Sequence, residues 1–179
     1  MAMPRLVVLR HGKSSWKDED LDDFDRPLSG RGVRDGKRFG AHLGERLPAP
    51  DRVLCSTARR TRDTLAFLVP GLVDPRRVSF EDELYLAPAE TLLERVQRRN
   101  GDGDGDEVET LLLIGHNPGL TELVNLLVDR ETDRLENLPT FGVVVLEAPE
   151  GLAALGPGKA RRALLLTPKA DAPRDGPVD

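Results

Sequence analysis

The chain has one cysteine, Cys55, among 179 residues. A lone thiol excludes an internal disulfide and any cysteine-based zinc cluster. No apolar stretch nears the ~20 residues that a membrane-spanning helix needs. No run of five or more basic residues occurs, and the formal net charge is -5. Both facts argue against nucleic acid or an anionic membrane surface as partner. Met1 to Arg5 leave no room for a signal peptide ahead of the first predicted strand. The expectation is a soluble, cytoplasmic protein.

Hydrophobic residues at 39% supply a lean core, and charged residues at 32% supply a well-solvated surface. A chain of this length predicts one compact domain over residues 1–169. The remainder, 170–179, is rich in aspartate and proline and is expected to be a disordered tail. No internal repeat is visible.

The strongest signal is an apolar run, Leu6-Val7-Val8-Leu9, that ends in Arg10-His11-Gly12. It reads as a buried strand over Arg5 to Leu9, delivering a cation and an imidazole to one sheet edge. Glycine then permits a tight turn and a close approach of backbone to ligand. A second run, Leu111-Leu112-Leu113-Ile114, ends in Gly115-His116-Asn117-Pro118-Gly119. Two of the three histidines in the chain therefore follow two predicted strands.

Between these runs the pattern alternates. Lys13 to Asp25 reads as a polar, acidic loop carrying Trp16. Val33, Phe39, Leu43 and Leu47 predict a helix over Gly30 to Leu47. Gly32, Gly36, Gly40 and Gly44 fall on one thin face of it, expected to pack closely on the sheet. Arg52 to Cys55 reads as a strand, and Ser56-Thr57 as the cap of a helix running through Val69. Val78 to Phe80 reads as a strand and Ala89 to Arg98 as a helix. Asn100 to Glu107 reads as a Gly/Asp loop and Glu109 to Ile114 as a strand. Asn117 is placed to cap a helix with Pro118 at its first position, running to Val128. Phe141 to Leu146 and Arg162 to Leu166 read as two more strands. Strands alternating with helices indicate a three-layer α/β/α sandwich with a mostly parallel central sheet. Right-handed crossovers bring successive strand ends to one edge, where ligands of such sheets bind.

Three of those ends are polar: Arg10-His11, Ser56 to Arg60, and His116-Asn117. Two guanidiniums, from Arg10 and Arg60, match the oxygens of a phosphoryl group with paired hydrogen bonds. The helix after Pro118 would aim free N–H groups and a positive dipole end at the same anion. A neutral imidazole is a competent nucleophile toward phosphorus. His11 is thus the candidate nucleophile, and a protonated His116 the candidate stabiliser of the equatorial oxygens. Arginine and imidazolium supply the positive charge, so neither a metal nor another cofactor is expected.

These residues resemble the histidine phosphatase superfamily, with its phosphoglycerate mutase-like fold. The resemblance lies in Leu9-Arg10-His11-Gly12, in Ser56-x-x-x-Arg60-x-x-x-Thr64 and in Gly115-His116-Asn117. Further matches are Lys13-Ser14-Ser15-Trp16, Asp25-Arg26-Pro27-Leu28, Glu83-Leu84-Tyr85, His116-Asn117-Pro118-Gly119-Leu120 and Leu166-Thr167-Pro168-Lys169. Together they are similar to the SixA-type phosphohistidine phosphatases, over about Arg5 to Lys169. The resemblance implies a phosphorylated His11, with Arg10, Arg60, His116 and Asn117 binding the phosphoryl group. It implies Arg26 as a further basic contact at the pocket rim. Thr61 departs from the alanine common there, and Arg59 competes with Arg60, which the spacing favours. Larger relatives carry their proton donor on an inserted subdomain; here Glu83 is the candidate acid. The implied partner is a phosphohistidine-bearing protein. The alternatives are a small phosphorylated metabolite or nucleotide, or a phosphate-recognising module without turnover. A monomer is expected.

The remaining candidates carry less. His42 lies in a predicted helix without a partner motif and reads as a structural or surface residue. Cys55 follows an apolar strand and reads as a small buried hydrophobe. Asp102, Asp104 and Asp106 fail the calcium-loop pattern, because Glu107 and Leu113 hold the positions that need glycine and glutamate. Trp16 suits either the core or a cover over the pocket.

Overall fold

Leu6 and Val8 point to one side of β1 (Arg5–Arg10), Val7 and Leu9 to the other, and all four are buried. A strand covered on both faces belongs inside a sheet with helices above and below. The computed structural model, which describes residues 3–98, 108–129 and 131–173, has that arrangement. Its sheet comprises β1, β2 (Arg52–Ser56), β3 (Val78–Glu81), β4 (Thr110–Gly115), β5 (Val143–Glu147) and β6 (Arg161–Leu166). The order across the sheet is β3-β2-β4-β1-β5-β6. The pairs β3-β2, β2-β4 and β4-β1 are parallel, whereas β5 runs antiparallel to both β1 and β6.

One helical layer holds α4 (Ala89–Gln97) and α5 (Gly119–Leu127). Their Leu92, Leu120, Leu123 and Leu127 pack on Leu6, Val8, Leu111 and Leu113. The other holds α1 (Gly30–Asp35), a π-helical stretch over Gly36–Gly40, α2 (Ala41–Arg46) and α3 (Arg59–Ala66). There Phe39, Leu43 and Leu65 cover Val7, Leu9, Leu112 and Ile114. Each fully buried leucine contributes about 1.5–3 kcal/mol, so two aliphatic cores hold a fold with few aromatics. A short α6 (Pro168–Asp171) closes the described chain.

Register fixes the site. Arg10 pairs with Gly115, and Cys55 with Ile114. Thus β1, β2 and β4 end at one level, with His11, Ser56 and His116 side by side.

Several expectations are corrected. The helix over 30–47 forms as three successive pieces, and of its four glycines only Gly40 approaches the core beside the sheet, at Phe141. A Cβ on Gly32 would meet the Lys13 carbonyl, one on Gly36 the Phe67 ring, and one on Gly44 the Gly71 carbonyl. Their stripe receives the neighbouring loops and the end of α3. Ser56 and Thr57 do not cap α3, whose N-cap is Ala58. Within residues 170–173, Asp171 accepts from the Thr167 N–H and the Pro173 carbonyl accepts from Arg38. The loop Asn100 to Glu107 and the rest of the tail, 174–179, lie outside the described residues.

Candidate active site

His11 stands one residue past β1, where its backbone N–H donates to the Gly115 carbonyl at 3.2 Å. Its ring Nδ1 lies 2.6 Å from the Gly12 carbonyl. A carbonyl only accepts, so Nδ1 carries the proton and Nε2 keeps its lone pair. That Nε2 faces Arg60, whose Nε donates to it at 3.3 Å. Gly12 is required by space, since a Cβ there would lie 2.9 Å from the Phe141 ring. Phe141, at φ 61°, donates its N–H to the Arg10 and His11 carbonyls. Thr64 on α3 completes the turn by accepting from the Gly12 N–H at 2.9 Å.

The His116 ring lies 5.2 Å from that of His11, centre to centre. Its Nε2 meets the Ser56 hydroxyl at 2.8 Å, and its buried Nδ1 has no hydrogen-bond partner among the described residues. Burial lowers the His11 pKa to about 4, aided by Arg60, Arg10 and Arg26 against the opposing Gly12 hydrogen bond. Burial, then His11 and Arg60, lower His116 to about 3. Both rings are thus biased toward the neutral form at neutral pH, so a charged His116 has to gain its proton when an anion binds.

Arg60 is only 3% exposed, whereas the Arg59 side chain is half exposed beside Asp63. The inward arginine is Arg60. Arg10 donates to the Leu138 carbonyl at 2.8 Å while its buried Nε has no partner among the described residues. Arg26 is not at the rim. It is buried and donates to the Ser15 carbonyl, to Asp23 at 2.8 Å and to the Ser14 hydroxyl. Trp16, 68% exposed, lies over the Arg26 guanidinium at 3.3 Å as a cover on that arginine. The sequence resemblance gave Asn117 to the ligand, but its amide is already engaged. It donates to Asn137 and the Leu138 carbonyl and accepts from Thr121. Three N–H groups at the start of α5 are engaged as well: Leu120, Thr121 and Glu122 donate to His116, Asn117 and Pro118.

Glu83 turns to the far side, bonding Arg98 at 3.2 Å and lying 3.5 Å from Arg95. The carboxylate that does reach the site is Asp23, which the sequence did not single out within its acidic run. Asp23 accepts from Arg60 at 3.0 Å, from Arg26 at 2.8 Å and from the Tyr85 hydroxyl at 2.5 Å. Burial raises its pKa, but the Tyr85 hydroxyl and the two guanidiniums more than offset this and hold it below the usual carboxylate range. The Tyr85 ring packs edge-on against His116 at 5.4 Å. Among the described residues no group of three or more His, Cys, Asp or Glu could hold a metal ion. No helix among them is long and apolar enough to cross a membrane.

Two imidazoles and the buried Arg60 guanidinium thus stand together at one sheet edge, and these are residue types suited to a phosphoryl group. The histidine phosphatase superfamily (branch 1) pattern matches residues 6–84. An uncharacterised protein of Mycobacterium tuberculosis (strain ATCC 25618 / H37Rv) is 38% identical over 159 residues, spanning 85% of this chain and 94% of its own. A solved Nakamurella multipartitia structure, described as a putative phosphohistidine phosphatase SixA, is 30% identical with TM-score 0.77, over 95% of this chain and 99% of that one. Its Agrobacterium tumefaciens counterpart is 26% identical with TM-score 0.76, over 93% and 99%. The chain belongs to the histidine phosphatase superfamily. Within it the resemblance is to the SixA type, and both levels support phosphatase chemistry on a phosphorylated substrate.

Proposed function

We propose that this protein is a metal-independent phosphatase that passes the phosphoryl group through His11, and that its substrate is phosphohistidine on a protein. The observation carrying the reading is the Gly12 carbonyl on His11 Nδ1, which leaves Nε2 as a lone pair beside Arg60. In the first step the Nε2 pair forms a bond to phosphorus, and the bond to the leaving group breaks with its electrons. Arg60, Arg10 and His116 Nδ1 supply donors for the equatorial oxygens. His116 takes up its proton with the incoming dianion, whose charge opposes the burial that keeps the free ring neutral. Water then attacks the phosphorylated His11 and releases inorganic phosphate. An imidazole leaving group is less demanding of an acid than an alkoxide. That suits a site where the Tyr85 hydroxyl and two arginines hold the Asp23 pKa below the usual carboxylate range and Glu83 is paired with Arg95 and Arg98.

Rapid-quench labelling with a phosphohistidine peptide tests this. Acid-labile phosphate is expected on the wild-type protein and none on His11→Ala. Equal labelling of the two overturns the mechanism, and turnover of phosphomonoesters but not of the peptide overturns the substrate.

A further inference from the structure

Arg60 is held from behind. A guanidinium has five N–H donors fixed in one plane. The Nη1 and Nη2 end of Arg60 donates to the Asp23 carbonyl at 2.6 Å and to its Oδ2 at 3.0 Å. The side edge, made by Nε and the second Nη2 hydrogen, is the edge turned to His11 Nε2, with Nε 3.3 Å away. Asp23 therefore engages the edge that a phosphoryl group on His11 would not use. The same carboxylate spends Oδ1 on Arg26 at 2.8 Å and receives the Tyr85 hydroxyl on Oδ2. One anion thus stands between two buried guanidiniums that would otherwise repel each other. Phe24, next in the chain, packs edge-on against the Tyr85 ring at 5.1 Å and fixes the short turn Asp23–Asp25 over the site.

We propose that Asp23 is a positioning residue for phosphoryl transfer, clamping the outer edge of Arg60 so that its Nε edge faces the phosphoryl group on His11. This rests on the reading of His11 and Arg60 given above. The opposite role would be a competing counterion that an incoming phosphoryl group has to displace. The two make opposite predictions for oxyanion affinity.

The test is a double-mutant cycle on an aryl phosphate, with orthovanadate binding followed in parallel by fluorescence of Trp16, the sole tryptophan. Asp23→Ala is expected to lower kcat/KM and weaken vanadate binding about tenfold, and to change either by less than about twofold in an Arg60→Ala background. Asp23→Asn, which keeps an oxygen for Arg60, should recover part of the loss. Asp22→Ala removes an equal charge from the same loop and should leave both readouts unchanged. Thermal melts report the folding of each variant separately. Equal losses from Asp23→Ala in the two backgrounds, equal losses from Asp22→Ala, or tighter vanadate binding by Asp23→Ala would each overturn the proposal. Absence of phosphoenzyme in the wild type would sink the proposed function instead, and the vanadate cycle still reads out the clamp.

Discussion

At the scale of single residues, protonation decides what the pocket can do. His11 and His116 sit near 4 and 3 because they are buried among guanidiniums. On the proposed mechanism His11 is ready to attack at any pH above that range, so the acid limb of kcat/KM should lie near pH 4, well below the 6.5 of an ordinary histidine. Binding a dianion raises the His116 pKa, so the complex takes up protons. Titration calorimetry with tungstate in buffers of different ionisation enthalpy should show uptake approaching about one proton per site as pH falls from about 7 to 5. Buffer-independent heats would remove His116 from the charge-stabilising role. The arginines also separate cleanly. Arg60→Lys loses the planar side edge and should cost about 100-fold in kcat/KM, while Arg59→Ala should stay within about twofold. Steady-state kinetics on one aryl phosphate measures both.

At the scale of elements, the strand ends were legible and the loops were not. Leu6-Val7-Val8-Leu9 and Leu111 to Ile114 announce strands because continuous apolar runs need cover on two faces. The histidines that follow them inherit their place from register, which is why their meeting could be read in advance. Asp23 had no such address. It reaches Arg60 from a loop without periodicity, and nothing in Asp18 to Asp25 distinguishes one carboxylate from the next. Glu83 looked suitable by neighbourhood, yet the next turn sends its carboxylate to α4 and brings Tyr85 inward. The glycine stripe was visible, but its partner was not, since an i, i+4 pattern states that something approaches and not what. Gly36→Ala tests that approach. Its Cβ would fall 2.3 Å from the Phe67 ring, so stability should drop by about 2 kcal/mol, or Tm by about 6 °C. Gly30→Ala, whose Cβ would meet only the Arg34 side chain at 3.6 Å, is the matched control and should not lower Tm.

At the scale of the whole molecule, the two buried rings link folding to acidity. An unfolded chain binds protons at His11 and His116 below pH 6.5, and the folded chain refuses them until about 4 and 3. Stability is therefore complete above about pH 6.5 and declines as pH falls through that window, with His11 alone costing about 3 kcal/mol by pH 4. Denaturant melts across that range should show the slope in the wild type and a shallower one in His11→Ala. A slope unchanged by the substitution would mean that the ring is not held neutral. The connection at Phe141 carries a different consequence, one about manufacture. The N–H of this residue grips the carbonyls of Arg10 and His11, and its ring fills the space above Gly12. A polypeptide still emerging from the ribosome lacks that grip until β5 has been made and docked, so the nucleophile cannot be set for work on a half-built chain.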